Sequence, residues 1–408
     1  MIQSIRIRLF PTPEQEEKLW EHVNAARAVW NWGLGYEMEL FETGEKHLSA
    51  YSLKKVLTQI KKTDEYDWFN NVSSQTLSYV IIDLGKAYDD FFAVKPVRYT
   101  KAKLSKAART GKKLTHYDLE GHPKFKSIKD NDYKFPIRID HTYFIDPYVN
   151  IEKIGKVKYQ TDKDLPQGKN TRGISNPRIK YRSGKWMLSF GIERENQAYD
   201  LTEKSLGIDL GIKTTAVVSF GGEKIEFHNI NKSRRVRRLE RKRKHVQRNL
   251  SRKYRKNGNY AQTQGVKEMK ALSLKIDNKL SDIRKDYTHK TTKQIVSLRP
   301  KRIVMENLSV KNLMKNRHLA KAIADQNWAE FIRQMKYKSE WNGISFIQAD
   351  KFYPSSKMCS CCGNIKKDLK LKDRIYVCNV CGTKMDRDYN AAINLERYGM
   401  PKEKGQSA

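Results

Sequence analysis

The sequence of 408 residues lacks the features of a membrane or secreted protein. No stretch approaches the roughly 18 consecutive apolar residues of a membrane helix. The N-terminus, MIQSIRIRLFPTP, has no uninterrupted apolar region and no small-residue cleavage site. Cysteine is absent before Cys359, and five cysteines within one short segment are a poor disulfide framework for so long a chain. We therefore expect a protein of a reducing cytosol that has no membrane partner.

Acidic residues are few beside basic ones. The chain has 46 Asp and Glu against 81 Lys and Arg, a formal net charge of +35. Positive charge spread over a whole chain is typical of a protein with a long contact to a nucleic-acid backbone. Affinity of this kind falls steeply as salt rises, because binding is driven by counterion release. The apolar content of 38% is enough for real cores, and the length allows two or more domains.

The first half of the chain predicts a small β-barrel or sheet with a helical insertion. In IQSIRIRLF, apolar residues alternate with arginines, which indicates a half-buried strand. TPEQ predicts a helix capped by Thr12, with Pro13 in its first turn and Gln15 completing a capping box. A second helix is expected over 75–92. The basic segment 95–122 is expected to be a loop, either solvated or in contact with a polynucleotide, and YKFPIRI and KWMLSFGIE predict further strands.

The second half predicts a separate domain from about position 202. Three strands near 205–210, 214–220 and 224–227 are expected to form an antiparallel meander. KRIVMENL and ISFIQAD predict two more strands, with a helix over 328–341 between them. An order of three strands, two helices, strand, helix, strand and helix is typical of an α/β sheet.

Positions 232–256 hold fourteen basic residues and one acid, with apolar residues on one helical face. An exposed charged helix or a nuclear-localisation signal would explain the run. We favour a helix that follows a phosphate backbone, because so dense a run of one charge repels itself unless a polyanion neutralises it. A second long helix, ending near Pro300, is expected to pack antiparallel on it. The residues expected to contact nucleic acid are Arg234, Arg235, Arg237, Arg238, Arg241, Arg248, Arg252 and Lys253.

Three acids stand at the ends of the predicted strands and the last helix. Asp209 lies in the first strand of the second domain, and Glu306 closes the strand that contains IVM. Asp388 begins the final helix on the face that its apolar residues share, whereas Asp386 lies outside that face. Each acid alone is explained by a solvated strand end or by the helix dipole. Together they predict a site for Mg²⁺ or Mn²⁺, where two ions roughly 4 Å apart promote phosphodiester hydrolysis.

The cysteines predict a zinc ribbon. Cys359-x-x-Cys362 and Cys378-x-x-Cys381 are each followed by a glycine that permits a tight turn, and four thiolates close a tetrahedral structural site. Cys361 is left over as a spare thiol. We expect the ribbon to be inserted before the last helix and, once folded around zinc, to position 385–388. Its basic stretch KKDLKLKDR is expected to touch nucleic acid as well.

These motifs resemble a known family. GIDLGIKTTAVVS, IVMENLSVKNL and FYPSSKMCSCCG, together with YVCNVCGTKMDRDYNAAINL, resemble the split RuvC-like nuclease domain of the TnpB proteins of bacterial insertion sequences. RLFPTPEQEEKL, AYDDFF, GHPKFK and KWMLSFGIE resemble the family's N-terminal half, so the resemblance covers nearly the whole chain. TnpB proteins are RNA-guided DNA endonucleases related to the type V CRISPR effectors.

The resemblance implies a multidomain protein of α/β and α+β class. An N-terminal β-barrel, called the wedge, would carry a helical recognition insertion, and a C-terminal RNase H-like (RuvC) domain would carry the zinc ribbon. The expected boundaries are 1–10 and 95–201 for the wedge, 11–94 for the recognition domain, 202–355 and 383–408 for the nuclease domain with inserted helices over 232–298, and 356–382 for the ribbon.

The resemblance also assigns roles to residues. Asp209, Glu306 and Asp388 would be the catalytic acids that bind magnesium, and Arg387, Asn390 and Asp386 would support them. The expected partners are a guide RNA, with one protein chain per RNA, and a double-stranded DNA target with a flanking motif, in a prokaryotic cytosol at the nucleoid. The candidates for reading that motif are Tyr51, Ser74, Gln75, Ser78 and Tyr79.

Other functions stay open at this point. A guided repressor that binds DNA without cutting it explains the charge and the zinc but leaves the acid trio without a purpose. A DNA transposase also uses acids on an RNase H-like fold, but it needs strand transfer and no RNA. A third alternative is a nuclease of this fold that acts on RNA or structured DNA without a guide.

Overall fold

The computed structural model describes residues 2–93, 98–128, 132–138, 140–168, 174–194, 199–258, 263–370 and 373–400. The chain divides into two compact units, Met1–Arg194 and Glu195–Ala408. The end of the predicted nuclease segment, 401–408, lies outside the described residues. Among the helices described, none combines the length and the apolar character that crossing a membrane requires.

The first unit contains seven strands and four α-helices within its described residues. The strands are β1 (Ile2–Phe10), β2 (Tyr133–Pro136), β3 (Tyr143–Ile145), β4 (Tyr148–Ile151), β5 (Gly155–Gln160), β6 (Ile174–Arg182) and β7 (Lys185–Glu193). The helices are α1 (Pro13–Glu42), α2 (Ala50–Ile60), α3 (Ser74–Ala93) and α4 (Lys101–Thr110). Because α4 lies within the predicted loop 95–122, the expectation of a loop is wrong for those residues.

The start of α1 follows from its sequence. The side chain of Thr12 accepts a hydrogen bond from the backbone N–H of Gln15, whose own side chain accepts from the backbone N–H of Thr12. Pro13 occupies the first turn, where its missing N–H leaves no helical bond unmade. The predicted capping box is therefore confirmed.

The predicted β-barrel is wrong. The seven strands form an open sheet in the order β2-β6-β7-β1-β5-β4-β3, and no pairing joins its edges β2 and β3 within the described residues. Helices cover its apolar face instead, since Ile5 and Ile7 of β1 share one core with Leu19 of α1 and Leu77 of α3. A sheet whose apolar face is buried under helices has no need to close on itself.

The second unit contains seven strands and six α-helices within its described residues. The strands are β8 (Thr202–Leu210), β9 (Thr214–Phe220), β10 (Glu223–His228), β11 (Pro300–Met305), β12 (Ser345–Gln348), β13 (Ile375–Val377) and β14 (Lys384–Asp386). The helices are α5 (Arg234–Asn257), α6 (Gln264–Ser297), α7 (Val310–Leu313), α8 (Ala320–Gln326), α9 (Trp328–Trp341) and α10 (Arg387–Glu396).

Five of these strands form one mixed sheet in the order β10-β9-β8-β11-β12. The antiparallel meander β8-β9-β10 is confirmed. Strand β11 pairs in parallel with β8, and β12 pairs in parallel with β11. Helix α10 packs on β8 and β9. Helices α5 and α6 pack together through a small core of their own, built by Val236, Val246, Ile276 and Leu280. The sheet therefore combines a hairpin edge with a parallel edge, and α10 lies across its middle strands.

Candidate functional site

The three predicted acids meet at one edge of the five-stranded sheet. Asp209 is the penultimate residue of β8, Glu306 directly follows β11, and Asp388 lies in the first turn of α10. Strands β8 and β11 are parallel, with Ile208 opposite Met305. Asp209 follows Ile208, and Glu306 follows Met305. Because these positions are neighbours in parallel strands, Asp209 and Glu306 point to the same face of the sheet.

The electrostatics of Asp209 show how close the acids lie. Asp209 is 7% exposed. Burial, followed by the negative charges of Glu306 and Asp388, raises the pKa of Asp209 well above its usual range, and the charge of Arg387 opposes this rise. Burial also raises the pKa of Glu306. The cluster therefore concentrates negative charge that the surrounding cations compensate only in part.

Asp388 is the acid of the three whose carboxylate pairs with arginine side chains. The guanidinium of Arg387 donates to Oδ1 of Asp388 from Nη2 at 3.0 Å and from Nε at 3.2 Å. Nη1 of Arg374 lies 4.0 Å from Oδ2 of the same carboxylate. Asp386 is the N-cap of α10, since Oδ1 accepts from the backbone N–H of Tyr389 at 2.9 Å. Arg387 thus contacts an acid of the cluster, whereas Asp386 fixes the start of the helix that carries it.

Gly207 brings α10 onto the sheet, a role that no local sequence pattern predicts. It lies two residues before Asp209 on β8 and therefore on the same face. A Cβ atom at this position would lie 2.1 Å from the carbonyl oxygen of Ala392 and 2.3 Å from the backbone nitrogen of Glu396. The helix backbone can lie this close only to a glycine. The approach is fixed further by Glu396, whose carboxylate accepts from Ser219 Oγ at 2.5 Å and from the N–H of Gly221 at 2.7 Å.

A cavity of about 440 Å³ opens beside the acids. Asp386 and Asp388 line it, and so do the cationic side chains of Lys213, Lys232 and Arg374. A cavity lined by both acids and cations can receive a metal ion and a phosphate group together. Lys213 belongs to the GIDLGIK motif and Arg374 to the basic stretch KKDLKLKDR, so both were within reach of sequence reasoning, although neither was singled out.

The four predicted zinc ligands form one cluster. Their sulfur atoms all lie within 4.8 Å of one another, with Cys359 and Cys381 3.6 Å apart and Cys362 and Cys378 3.5 Å apart. A disulfide would need about 2.05 Å. Four sulfurs about 2.3 Å from one zinc ion in a tetrahedron would instead lie roughly 3.8 Å apart. The cluster can therefore hold a metal ion, and tetrahedral zinc fits it.

Asn390 joins this cluster to the acid site. It is fully buried in α10, where Nδ2 donates to the carbonyl of Met358 at 2.7 Å and Oδ1 accepts from the N–H of Ser360 at 2.9 Å. These two residues flank Cys359. One turn later Asn394 donates to the same carbonyl of Met358, at 2.7 Å. The helix that carries Asp388 is thus hydrogen-bonded directly to the first cysteine knuckle.

The predicted nucleic-acid residues lie on α5. Seven of the eight are exposed arginines, and Lys253 is half-buried. Within the described residues no ion pair engages these eight side chains, whereas Arg243 of the same helix pairs with Glu240 and Asp277. Helix α5 is anchored near its start, where Arg284 of α6 pairs with Glu240 at 3.0 Å. Its outward cations are thus free for a polyanion.

The five candidates for motif reading do not lie together. Ser74, Gln75, Ser78 and Tyr79 share one face at the start of α3, and Lys61 Nζ donates to Ser74 Oγ at 3.0 Å. Tyr51 is 68% exposed at the start of α2. Because Ala50 packs on Gly85 of α3, Tyr51 lies near the far end of the pair, about 16 Å along the helix from position 74.

Three family models match the chain. A model described as a helix-turn-helix domain covers 1–46, one described as a probable transposase (OrfB, IS605) covers 189–317, and a Cas12f1-like TNB domain covers 328–395. The first of these regions folds as β1 followed by the single helix α1.

Several curated relatives align with almost the entire chain. A candidate RNA-guided DNA endonuclease of Streptomyces pristinaespiralis is 28% identical over 398 residues, which cover 98% of this chain and 89% of the relative. The TnpB-like protein L770 of Acanthamoeba polyphaga mimivirus is 23% identical and covers 98% of this chain and 74% of its own length. The chain is thus similar, over almost its whole length, to TnpB-like proteins and to proteins named as RNA-guided DNA endonucleases.

A solved structure is similar to this chain at the level of the fold. The mini-RNA-guided endonuclease CRISPR-Cas phi3 superposes with a TM-score of 0.51 at 12% identity, covering 97% of this chain and 92% of the other. The likeness supports a mixed α/β multidomain architecture. The acids and the cysteines of this chain both fall in its second unit.

Proposed function

We propose that this protein is an RNA-guided DNA endonuclease. It binds a guide RNA, recognises a short motif beside the target, and hydrolyses DNA phosphodiesters at Asp209, Glu306 and Asp388. The observation that carries this proposal is the convergence of three acids, from positions far apart in sequence, at one sheet edge beside a cavity that Asp388 and three cationic side chains line. The names of the full-length relatives support RNA guidance and DNA as the substrate.

The second unit is proposed to be an RNase H-like (RuvC) domain. An antiparallel hairpin followed by two parallel strands, with acids at the carboxyl ends of β8 and β11, supports this assignment. The proposed boundaries are those expected from the sequence, with the ribbon over 356–382 inserted between β12 and α10. The seven-stranded sheet of the first unit is proposed to be the wedge domain, although it is an open sheet and not a barrel.

The acid cluster suits magnesium or manganese. Its donors are carboxylate oxygens, which these hard cations prefer, and the raised pKa of Asp209 marks negative charge that a cation would neutralise. When bound, two such ions activate a water molecule and stabilise the leaving oxygen.

The side chains themselves prepare the site. Asp209 and Glu306 are fixed by their strands and hold their carboxylates on one face, so little reorganisation is needed at the moment of reaction. Arg387 keeps Asp388 oriented and reduces the repulsion among the acids. Lys213 and Arg374 attract a backbone phosphate into the cavity that Asp388 also lines.

Zinc is proposed as a structural ion in the ribbon. Asn390 and Asn394 transmit the fold of the first knuckle to α10, so the ribbon positions Asp388. The basic stretch between the cysteine pairs, which contains Arg374, is proposed to touch the DNA. The exposed arginines of α5 are proposed to follow a phosphate backbone, and one protein chain is proposed per guide RNA, in a prokaryotic cytosol at the nucleoid.

The four polar residues that open α3, with Tyr51 as a separate contact, are proposed to read the flanking motif. Replacing Gln75 and Tyr79 by alanine should change the sequence preference and leave the rate of cleavage on the best motif nearly unchanged. A motif-library cleavage assay measures both quantities. An unchanged preference in both variants would assign motif reading to other residues.

The decisive experiment starts from the protein purified with the RNA that it retains. After that RNA is sequenced, a plasmid library is built with a target matching its 3′ end and a randomised flank, and cleavage is followed with Mg²⁺. The control is Asp209→Asn, which keeps the shape of the side chain and removes its charge. Cleavage by the wild type alone, confined to one flank motif, supports the proposal. Tight RNA-dependent binding without cleavage supports a guided repressor instead.

Transposition is a second candidate, favoured by the description of the family model over 189–317. The same acids could join DNA ends, but a transposase would need strand transfer into a second DNA and would not need RNA. Adding a labelled acceptor DNA to the reaction distinguishes the two: joined products that form after ribonuclease treatment would favour the transposase.

A further inference from the structure

Phe352 is exposed to an unusual degree. At 88% it is the most exposed of the large apolar side chains in the described part of the chain. Scattered apolar residues on a surface need no explanation when their loop is free to adjust. The turn that carries Phe352 is instead held on both sides.

Hydrogen bonds and ring contacts fix this turn. Asp350 accepts from the hydroxyl of Tyr398 at 2.8 Å, and the N–H of Asp350 donates back to that hydroxyl at 3.2 Å. The N–H of Tyr353 donates to the carbonyl of Asp350 at 2.9 Å, and its hydroxyl donates to the carbonyl of Asn394 at 3.1 Å. The rings of Tyr353 and Tyr398 meet edge to face at 4.8 Å. The residues around Phe352 are thus tied to α10 and its C-terminal end, while the ring itself is held out in solvent.

The position of the turn relates it to the acids. It follows β12, which is parallel to β11, and the N–H of Ala349 donates to the carbonyl of Met305 at 2.8 Å. Met305 is the residue before Glu306. The turn therefore leaves the sheet at the carboxyl ends of the parallel strands, the edge at which α/β sheets bind their ligands.

A cation accompanies the ring. Nζ of Lys351 lies 5.4 Å from the centroid of the Phe352 ring. A flat aromatic face next to an ammonium group matches the two parts of a nucleotide, a base that stacks and a phosphate that carries charge. A lone ring beside a lysine offers little of the area that a stable protein interface needs. Duplex DNA would not use it, because its bases already stack on each other.

We propose that Phe352 is a stacking platform for an unpaired base of the DNA strand that approaches the acids, and that Lys351 contacts the adjoining phosphate. The proposal rests on the proposed function for the identity of the strand. It assigns the turn 350–353 a role in positioning single-stranded substrate. Because the turn is rigid, the ring is already in place before the strand arrives, and little ordering is needed on binding.

The test measures the affinity of the full chain for a short fluorescein-labelled single-stranded DNA of mixed sequence, by anisotropy. Metal is omitted to prevent cleavage, and salt is raised to weaken the general electrostatic binding. Phe352→Ala should lower the affinity by roughly 5- to 150-fold, the range for loss of one base–aromatic stack. Phe352→Trp should restore it, and Phe352→Leu, which is apolar but has no aromatic face, should not. Phe125→Ala, which removes an exposed ring of the first unit, is the matched control.

A second probe separates stacking from damage to the turn. On a strand of the same length made of abasic nucleotides, the wild type and Phe352→Ala should bind equally, because no base is present to stack. An equal loss of affinity for both strands would mean that the substitution disturbs the turn, which would overturn the proposal. Unchanged affinity of Phe352→Ala for the normal strand would also overturn it, and so would wild-type affinity of Phe352→Leu. Dependence on Phe352 in a protein that fails to cleave DNA would refute the nuclease and leave the stacking platform standing.

Discussion

The contact between Gly207 and α10 gives the sharpest prediction, because a single methyl group tests how the acids are brought together. In Gly207→Ala, the new Cβ would lie 2.1 Å from the Ala392 carbonyl oxygen, whereas real Cβ contacts are essentially never under 3.0 Å, so the backbones must separate by at least 3.0 − 2.1 = 0.9 Å. The clash is with backbone atoms, so no side-chain rotation relieves it. Overpacking of this kind costs about 1–3 kcal/mol of stability.

The larger expected effect is on the chemistry. Asp388 moves with α10 while Asp209 stays on the strand, and a displacement near 1 Å at a reacting centre costs on the order of 100-fold in rate. Single-turnover cleavage of guided DNA with saturating Mg²⁺ measures this loss, and affinity for the RNA should stay unchanged because α5 is not involved. The control Gly35→Ala meets only Phe125 Cε1 at 4.0 Å and should cleave at the wild-type rate. A Gly207→Ala protein as fast as the wild type would refute the proposed placement of α10.

The other predictions concern charge and zinc. Asp209→Asn should raise the melting temperature of the metal-free protein by roughly 2–4 °C per kcal/mol of relieved repulsion, and should abolish stabilisation by Mn²⁺. Because the pKa of Asp209 is raised in the folded state, the carboxylate destabilises the fold only above the pKa of the unfolded chain. The gain in melting temperature of Asp209→Asn should therefore be absent below about pH 4 and grow as pH rises. A gain that is the same at every pH would argue against charge as its cause. Cys378→Ser, or a strong chelator, should remove bound zinc, measurable by mass spectrometry, and reduce cleavage together with it; full activity without zinc would separate the ribbon from the acid site. Replacing Arg237 and Arg241 by glutamine should reduce the slope of log affinity for RNA against log salt concentration by the equivalent of about two phosphate contacts. Arg243→Gln, which loses internal ion pairs, should lower stability and leave this slope nearly unchanged.

Local features of the fold could be predicted because neighbouring residues determine them. The capping box of Thr12 and Gln15 depends on residues three apart, and the meander of β8, β9 and β10 pairs strands that follow one another directly in the chain. The spacing of the cysteines predicted a cluster whose sulfurs indeed lie together. The acids were recognised singly for the same reason, since each stands at the end of an element that the local pattern predicts.

The closure of a sheet depends on contacts between distant segments, and this is where the barrel prediction failed. Strand β2 was predicted from YKFPIRI and β3 was not predicted, but whether these two edge strands pair depends on what covers the sheet. Helices α1 and α3 bury the apolar face of the sheet. The alternation in IQSIRIRLF shows that one face of β1 is apolar, but it does not specify what covers that face. The separation of Tyr51 from position 74 has the same origin, because the antiparallel packing of α2 on α3 is set by Ala50 against Gly85.

By itself, then, the sequence determined which side chains bear the chemistry: the acids, the cysteines and the arginines of α5. Tertiary structure alone decided how they act on each other. The pKa of Asp209 depends on charges from β11 and α10, and the approach of α10 depends on the missing side chain of Gly207. Neither can be read from local spacing, because Coulomb interactions and steric contact depend on distance in space, and only the folded chain brings positions 209, 306 and 388 together.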